Sequence, residues 1–411
     1  MRWFTSMFTH SQKGVKKMES LFEKAVVNNS NSEQSSTTEQ SSTMPEGFGE
    51  ATILVIGVGG AGNNTINRLS TIGINGAQLI AVNTDKQHLE LISANKKMLI
   101  GYELTKGLGA GGYPEVGAQS AMEAKPALKE LLDSADLIFL TGGLGGGTGT
   151  GALPVIAEVA KTSGAVVVGA VTMPFKIERA RISKARDALA QLTKNTDSVV
   201  VIDNNKLLSH VPDIPMDKAF LVADDVLARM VKGITETIAT PSLVNLDFAD
   251  VRSVMQEGAG KGIAMIGLGE SDTRNRAEEA VMHALENPLL DVDYRGALGA
   301  MVHITGGSDL TLAEATKIGE IATTYLNNDA NVIWGARIDP EHDGMVQVMV
   351  IITGVQSPDI VGPTSTDIEV PHRQALSSLD HLKRPVRLPI QRSAKPKSEG
   401  IMANLGIDYI V

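Results

Sequence analysis

Apolar and polar positions along this chain follow two rhythms. Thr52 to Gly57 (T-I-L-V-I-G) is an unbroken apolar run closed by glycines, which predicts a strand buried on both faces. Ala77 to Asn83, Leu137 to Thr141, Ala165 to Thr172 and Ser198 to Ile202 repeat that pattern, with helical stretches between them such as Asn63 to Ile72 and one starting near Ala152. Strands alternating with helices predict an α/β fold with a doubly wound parallel sheet covered on both faces. From about Asp217 to Ala239 the rhythm changes. Phe220, Ala223, Leu227, Met230, Val231, Ile234 and Ile238 recur at i, i+3/i+4, one apolar stripe on a long helix of roughly 34 Å. Beyond Gly262 come the strand-like A-M-I-G-L-G, a helix from Thr273 to Leu285, the strand M-V-H-I-T-G-G, a helix from Leu312 to Leu326, and the strands N-V-I-W-G-A-R-I and M-V-Q-V-M-V-I-I-T-G. These form a second, smaller α/β domain ending near Val355.

The two ends read differently. Residues 28–44 are almost wholly Asn, Ser, Gln, Thr and Glu, the composition of a disordered linker. Ahead of it, Trp3, Phe4, Met7, Phe8, Val15, Met18, Leu21 and Phe22 are interleaved with Lys13, Lys16 and Lys17. Two readings stay open there: a short amphipathic helix touching a membrane or partner, or a frayed extension. The expected division is therefore 1–48 as an extension, 49–240 as a nucleotide-binding domain including the long helix, 241–355 as the second domain, and 356–411 as a disordered tail.

Composition narrows the classes. The 411 residues are 43% apolar and 20% charged, with 41 glycines and few aromatics, as suits a globular α/β chain rich in tight turns. There are no cysteines, so thiol catalysis, disulfides and Cys-ligated metal are excluded. No apolar run reaches the roughly 18 residues of a membrane span, and no secretory signal is legible at the start, so a cytoplasmic chain is expected. Seven Lys/Arg against one acid fall between His372 and Lys397, while the net charge is −10. The folded part is thus acidic and ill-suited to nucleic acid. The basic tail reads as a solvated segment, or as one that meets acidic surfaces.

The chemistry lies in glycine. Gly142 to Gly151 (G-G-L-G-G-G-T-G-T-G) sits between a buried strand and a helix. Seven glycines let successive N–H groups turn inward toward a helix N-terminus, which makes a phosphate cradle, and Thr148 and Thr150 offer hydroxyls. It is no Walker loop, since no G-K-[ST] follows. A second glycine turn, Gly57 to Asn64 (G-V-G-G-A-G-N-N), follows the first strand. Alone it would suggest a dinucleotide fingerprint and an NAD-dependent oxidoreductase. The acid expected at the end of the second strand is, however, replaced by N-T-D, Asn83 to Asp85. A third glycine-rich loop spans Gly107 to Gly117.

The first of these loops resembles the signature of the tubulin/FtsZ GTPase family, and the surrounding segments are similar to its FtsZ branch: A-V-N-T-D (Ala81 to Asp85), G-L-G-A-G-G (Gly107 to Gly112), V-T-M-P-F (Val171 to Phe175) and N-L-D-F-A-D-V (Asn245 to Val251). The resemblance covers roughly residues 50 to 355, and the two ends look archaeal. It implies GTP/GDP binding, with Mg2+ expected. Phosphate contacts are implied at Gly60, Ala61, Gly62, Asn63 and Asn64 and at Gly147, Thr148 and Gly149, and further nucleotide contacts at Gly109, Ala110 and Gly111. Glu178 and Arg181 are implied at the ribose, Asn204 beside the nucleotide, and Asp224 as the reader of guanine. The run Glu178-Arg179-Ala180-Arg181 departs from the family's spacing by one residue, which leaves Arg179 as a substitute for Arg181. Asp247 and Asp250, three apart and so on one helix face, are implied as the catalytic pair, with Asn245 helping to position them. Helix capping accounts for one of the two acids. The resemblance implies head-to-tail self-assembly, with one subunit's Asp pair reaching the nucleotide of the next, at the midcell division site beneath the membrane. It also implies a tethering partner that docks on Leu405 to Val411. A shape-controlling tubulin relative shares nearly all these motifs and is the alternative.

Overall fold

The computed structural model describes residues 51–206, 216–240, 242–257, 263–286, 297–324, 326–327, 329–355 and 407–409. The expectations for residues 1–48 and for most of the tail lie outside these residues.

The strands are β1 Ile53–Val58, β2 Ala77–Asn83, β3 Lys96–Leu99, β4 Leu137–Gly143, β5 Val166–Met173, β6 Ser198–Asp203, β7 Ile263–Ser271, β8 Gly299–Gly306, β9 Asn331–Ile338, β10 Val346–Val355 and β11 Ile407–Tyr409. They form one sheet in the order β11-β3-β2-β1-β4-β5-β6-β7-β10-β8-β9. The stretch 3-2-1-4-5-6 is the doubly wound order, in which the winding direction reverses between β1 and β4. Every residue of β1 and of β5 is buried, which is why both read as unbroken apolar runs. Alternate residues of β1 serve opposite faces: Leu54, Ile56 and Val58 enter one core, Ile53 and Val55 the other.

Helices α1 (Gly59–Ile72) and α2 (Thr148–Thr162) follow β1 and β4 and cover opposite faces. Ile66 and Leu69 of α1 pack in the core of Ile53 and Val55, while Leu153 and Ile156 of α2 pack in the other. Both helices begin about four residues before the sequence rhythm predicts, so the glycine turns are themselves first helical turns. Helix α3 (Met216–Ala239) buries the expected stripe through Ala223, Leu227, Met230, Val231 and Ile234. Phe220 departs from it, being 42% exposed.

The chain after α3 opens with α4 (Phe248–Glu257). Here β10 runs antiparallel to both β7 and β8, and β8 runs parallel to β9. The smaller α/β unit is thus a mixed sheet, joined to the parallel one through the single register pair Val200↔Ala264. Met301, Met349 and Ile351 of this half share a core with Met230 and Ile234 of α3, so the long helix is the common floor of both halves.

Candidate nucleotide site

The winding reversal places two helix N-termini side by side at the C-terminal ends of β1 and β4. Glycine is required there by space. A side chain at Gly62 would stand 2.2 Å from the Thr141 carbonyl oxygen, and one at Gly59 2.8 Å from the Gly149 nitrogen. Only bare backbone lets the two turns touch, and their unpaired N–H groups then face one cleft that favours an anion.

That cleft is a cavity of about 330 Å3. The implied residues Gly60, Ala61, Asn64, Gly147, Thr148, Gly149, Glu178, Arg181, Asn204 and Asp224 all line it. Gly147, Thr148 and Gly149 open α2, and Gly60, Ala61 and Asn64 lie in the first turns of α1. Gly62 and Asn63 are buried behind this wall, and both polar side-chain atoms of Asn63 lack a hydrogen-bond partner, as does Oδ1 of Asn204. Asn204 lines the cavity, so its orphaned group fits a polar ligand there.

At the opposite end Asp224 accepts a 3.3 Å hydrogen bond from the Thr65 hydroxyl. Burial nevertheless pushes its carboxyl from the ordinary 3.8 up to about 7, with Thr65 opposing. Phe220, one helical turn earlier on α3, also lines the cavity and meets Phe175 edge-on with ring centroids 5.7 Å apart. An aromatic wall beside a carboxylate suits a flat base bearing N–H donors. On the remaining side Arg181 pairs with Glu178 at 2.5 Å, and Glu178 also accepts from the Phe175 N–H at 3.0 Å. The one-residue departure in this loop is absorbed with Arg181, rather than Arg179, on the cavity wall.

Two expectations are corrected, and a third is not met by the cavity lining. Thr150 offers no hydroxyl to the cavity, because it is buried and accepts from the Gly145 N–H at 2.8 Å, bracing the loop. Gly109, Ala110 and Gly111 do not line the cavity either. Gly109 donates to the Thr84 carbonyl, and Ala110 packs where a side chain on Gly147 would stand, 2.8 Å away. This third loop thus adjoins the cradle, packing on Gly147 through Ala110 while Gly111 and Gly112 stay exposed beside it. Finally, capping accounts for both members of the Asp pair: the Asp250 N–H donates to Asp247 Oδ1 at 2.9 Å, and the Asp247 N–H donates to Asp250 Oδ2 at 3.1 Å. The two form a reciprocal box at the start of α4. Asn245 and Asp247 are exposed and Asp250 is half-buried. None of the three touches the cavity, since α3 starts at the cavity and carries the chain roughly 36 Å from it.

Sequence reasoning missed the residues that act through others. The Thr84 hydroxyl lies 2.6 Å from that of Thr148, and His88 Nε2 lies 3.2 Å from Asn64 Oδ1. Thr84 belongs to the N-T-D motif, which was the available signal. Phe220 was hidden because an aromatic residue on an apolar stripe reads as core. Among the described residues no three His, Cys, Asp or Glu gather as a metal site.

The comparisons with known proteins agree with this geometry. The family model described as the tubulin/FtsZ family GTPase domain matches residues 52–212, and that of the FtsZ family C-terminal domain matches residues 262–356. "Cell division protein FtsZ 2" of Methanocaldococcus jannaschii is 63% identical, over 77% of this chain and 83% of that protein. "Cell division protein FtsZ 2" of Halobacterium salinarum is 51% identical, over 82% and 85%. Among solved structures, an empty FtsZ dimer from M. jannaschii matches with a TM-score of 0.69 at 45% identity, over 79% of this chain and 95% of that one. A GTPγS-bound CetZ2 protofilament from Haloferax volcanii matches with a TM-score of 0.64 at 23% identity, which shows a shared fold alone. The shape-controlling and oxidoreductase alternatives are accordingly not favoured, and the chain belongs to the tubulin/FtsZ family of GTPases, on its FtsZ cell-division branch.

Proposed function

We propose that this chain assembles head to tail and hydrolyses GTP only where one subunit's α4 meets the nucleotide of the next. The observation that carries this reading is a separation within the single chain. The phosphate end of the cavity is built from glycine backbone, Ala61, Asn64 and Thr148, none of which takes a proton from water at neutral pH. The acids able to orient and polarise water, Asp247 and Asp250, stand beyond the far end of α3. One cavity and one carboxylate pair at opposite ends of a subunit make a heterologous contact that does not close on itself, and such a contact builds open filaments.

In this reading the first turns of α1 and α2 hold the phosphates, Glu178 and Arg181 the ribose, Asn204 the nucleoside, and Asp224 the guanine N1–H and amino group. Mg2+ fits as an ion carried by the triphosphate, since it keeps most of its waters and needs few protein oxygens; when bound it offsets phosphate charge. Residues 49–240 then act as the nucleotide-binding half and 241–355 as the half that activates the next subunit. The family models fall on either side of α3, which supports that division. The setting is the cytoplasmic face of the division site, with the tail as the link to a membrane-tethering protein.

Phosphate release from GTP, measured against protein concentration for the wild type and Asp247→Ala, tests the proposal. The specific rate should climb above a threshold concentration in the wild type and collapse in the variant while GTP remains bound. A specific rate independent of concentration would sink it, since each subunit would then carry its own catalytic group.

A further inference from the structure

The sheet does not end at β3. Ile407–Tyr409 lies against it as a parallel strand, with Ile407 in register with Lys97, Asp408 with Met98 and Tyr409 with Leu99. We propose that the chain's own C-terminal peptide docks in cis on the β3 edge, so that the tail is stored on the body of its own subunit and a partner that captures it must first displace it.

Without this strand β3 would be the outermost strand of the sheet, presenting a row of unpaired N–H and C=O groups. Such an edge either recruits an extended peptide or has to be covered. The occupant suits the position. The terminal run I-D-Y-I-V is rich in β-branched and aromatic residues that favour extended backbone. A parallel pair needs a crossover of a dozen residues or more, and residues 356–406 supply that length. The pairing is only three residues long, which suits a contact that opens and closes rather than a permanent part of the fold. The same short peptide therefore has two uses, edge cover when docked and linear motif when free. The docking stands independently of the catalytic reading, because it involves neither the cavity nor the Asp pair.

The chain has no cysteine, so an introduced pair reports on this contact alone. Registered strands lie about 5 Å apart, within the span a disulfide bridges. In full-length protein carrying Lys97→Cys and Ile407→Cys, mild oxidation should give an internally cross-linked monomer. Its yield should not depend on protein concentration, and neither single variant should form it. Absence of the cross-link would overturn the proposal. So would cross-linked dimers that grow with concentration, which would assign the strand to a second copy. Amide exchange is the second measurement. Backbone amides within Lys96–Leu99 should exchange about tenfold faster or more in a chain ended after Gly406 than in the full chain. Equal exchange in the two would also overturn it.

Discussion

At Asp224 burial and the proposed role pull in opposite directions. The carboxyl is held near 7 by desolvation, yet only the ionised form accepts from both donors of guanine. A chain without nucleotide therefore carries this group partly protonated at neutral pH, and binding GTP must expel the proton. Measured below the assembly threshold, GTP affinity should rise about tenfold from pH 6 to pH 8, and Asp224→Ala should flatten that profile while weakening binding roughly 10- to 100-fold. An affinity independent of pH in the wild type would remove Asp224 from the guanine. The same shift acts on folding with the opposite sense. The folded form holds this proton more tightly than the unfolded chain, so the group's contribution to stability falls as pH rises from about 4 to 7. Thermal unfolding of the nucleotide-free chain should show that loss, and GTP should offset it. Asp224 was reached through the family resemblance, and the structure sets it on the cavity wall. Thr65 and His88 were not legible, because a threonine and a histidine inside or beside helices carry no sign of the carboxylate or amide they hold.

Elements were legible where burial is two-sided and obscure where glycine opens a helix. Strand β9 runs over the same residues as its sequence pattern, and β5 is offset by one. By contrast the starts of α1 and α2 were placed late, because glycine is a poor helix former and nothing local shows that Gly62 must clear the Thr141 carbonyl. The α4 start raises a different problem, since its two acids cap the helix and are also the proposed catalytic pair. The two roles separate by chemistry. The amide oxygen of Asn can accept the same backbone N–H as a carboxylate but carries no charge to polarise water. Asp250→Asn keeps an acceptor for the Asp247 N–H and loses a charge at the helix start, so unfolding stability should stay within about 1 kcal/mol of wild type while GTP turnover at saturating protein falls by about 100-fold or more. Asp247→Ala should lose turnover and about 1 kcal/mol of stability as well. Equal turnover in Asp250→Asn and wild type would reduce the pair to a cap.

Over the whole molecule, the sheet order underlies the proposed division of labour. Reversal between β1 and β4 puts the cavity at one end of the parallel sheet, and α3 delivers α4 to the other. The doubly wound half was legible in alternating strands and helices. Continuity with the mixed half was not, because it rests on Val200↔Ala264, a pairing with no local sequence signal. If catalysis needs two subunits, two different defects should complement each other. Asp247→Ala keeps a guanine pocket and lacks an intact acid pair. Asp224→Asn keeps the pair and presents an amide where xanthine, with a carbonyl in place of the guanine amino group, is the matching base. Supplied with both GTP and XTP, the first variant alone should hydrolyse neither, and the second alone should hydrolyse XTP. A one-to-one mixture should regain GTP hydrolysis, because roughly a quarter of randomly formed junctions join a GTP-filled pocket to an intact pair. Catalysis within a single chain predicts no GTP hydrolysis in that mixture, since every chain able to read guanine lacks the intact pair.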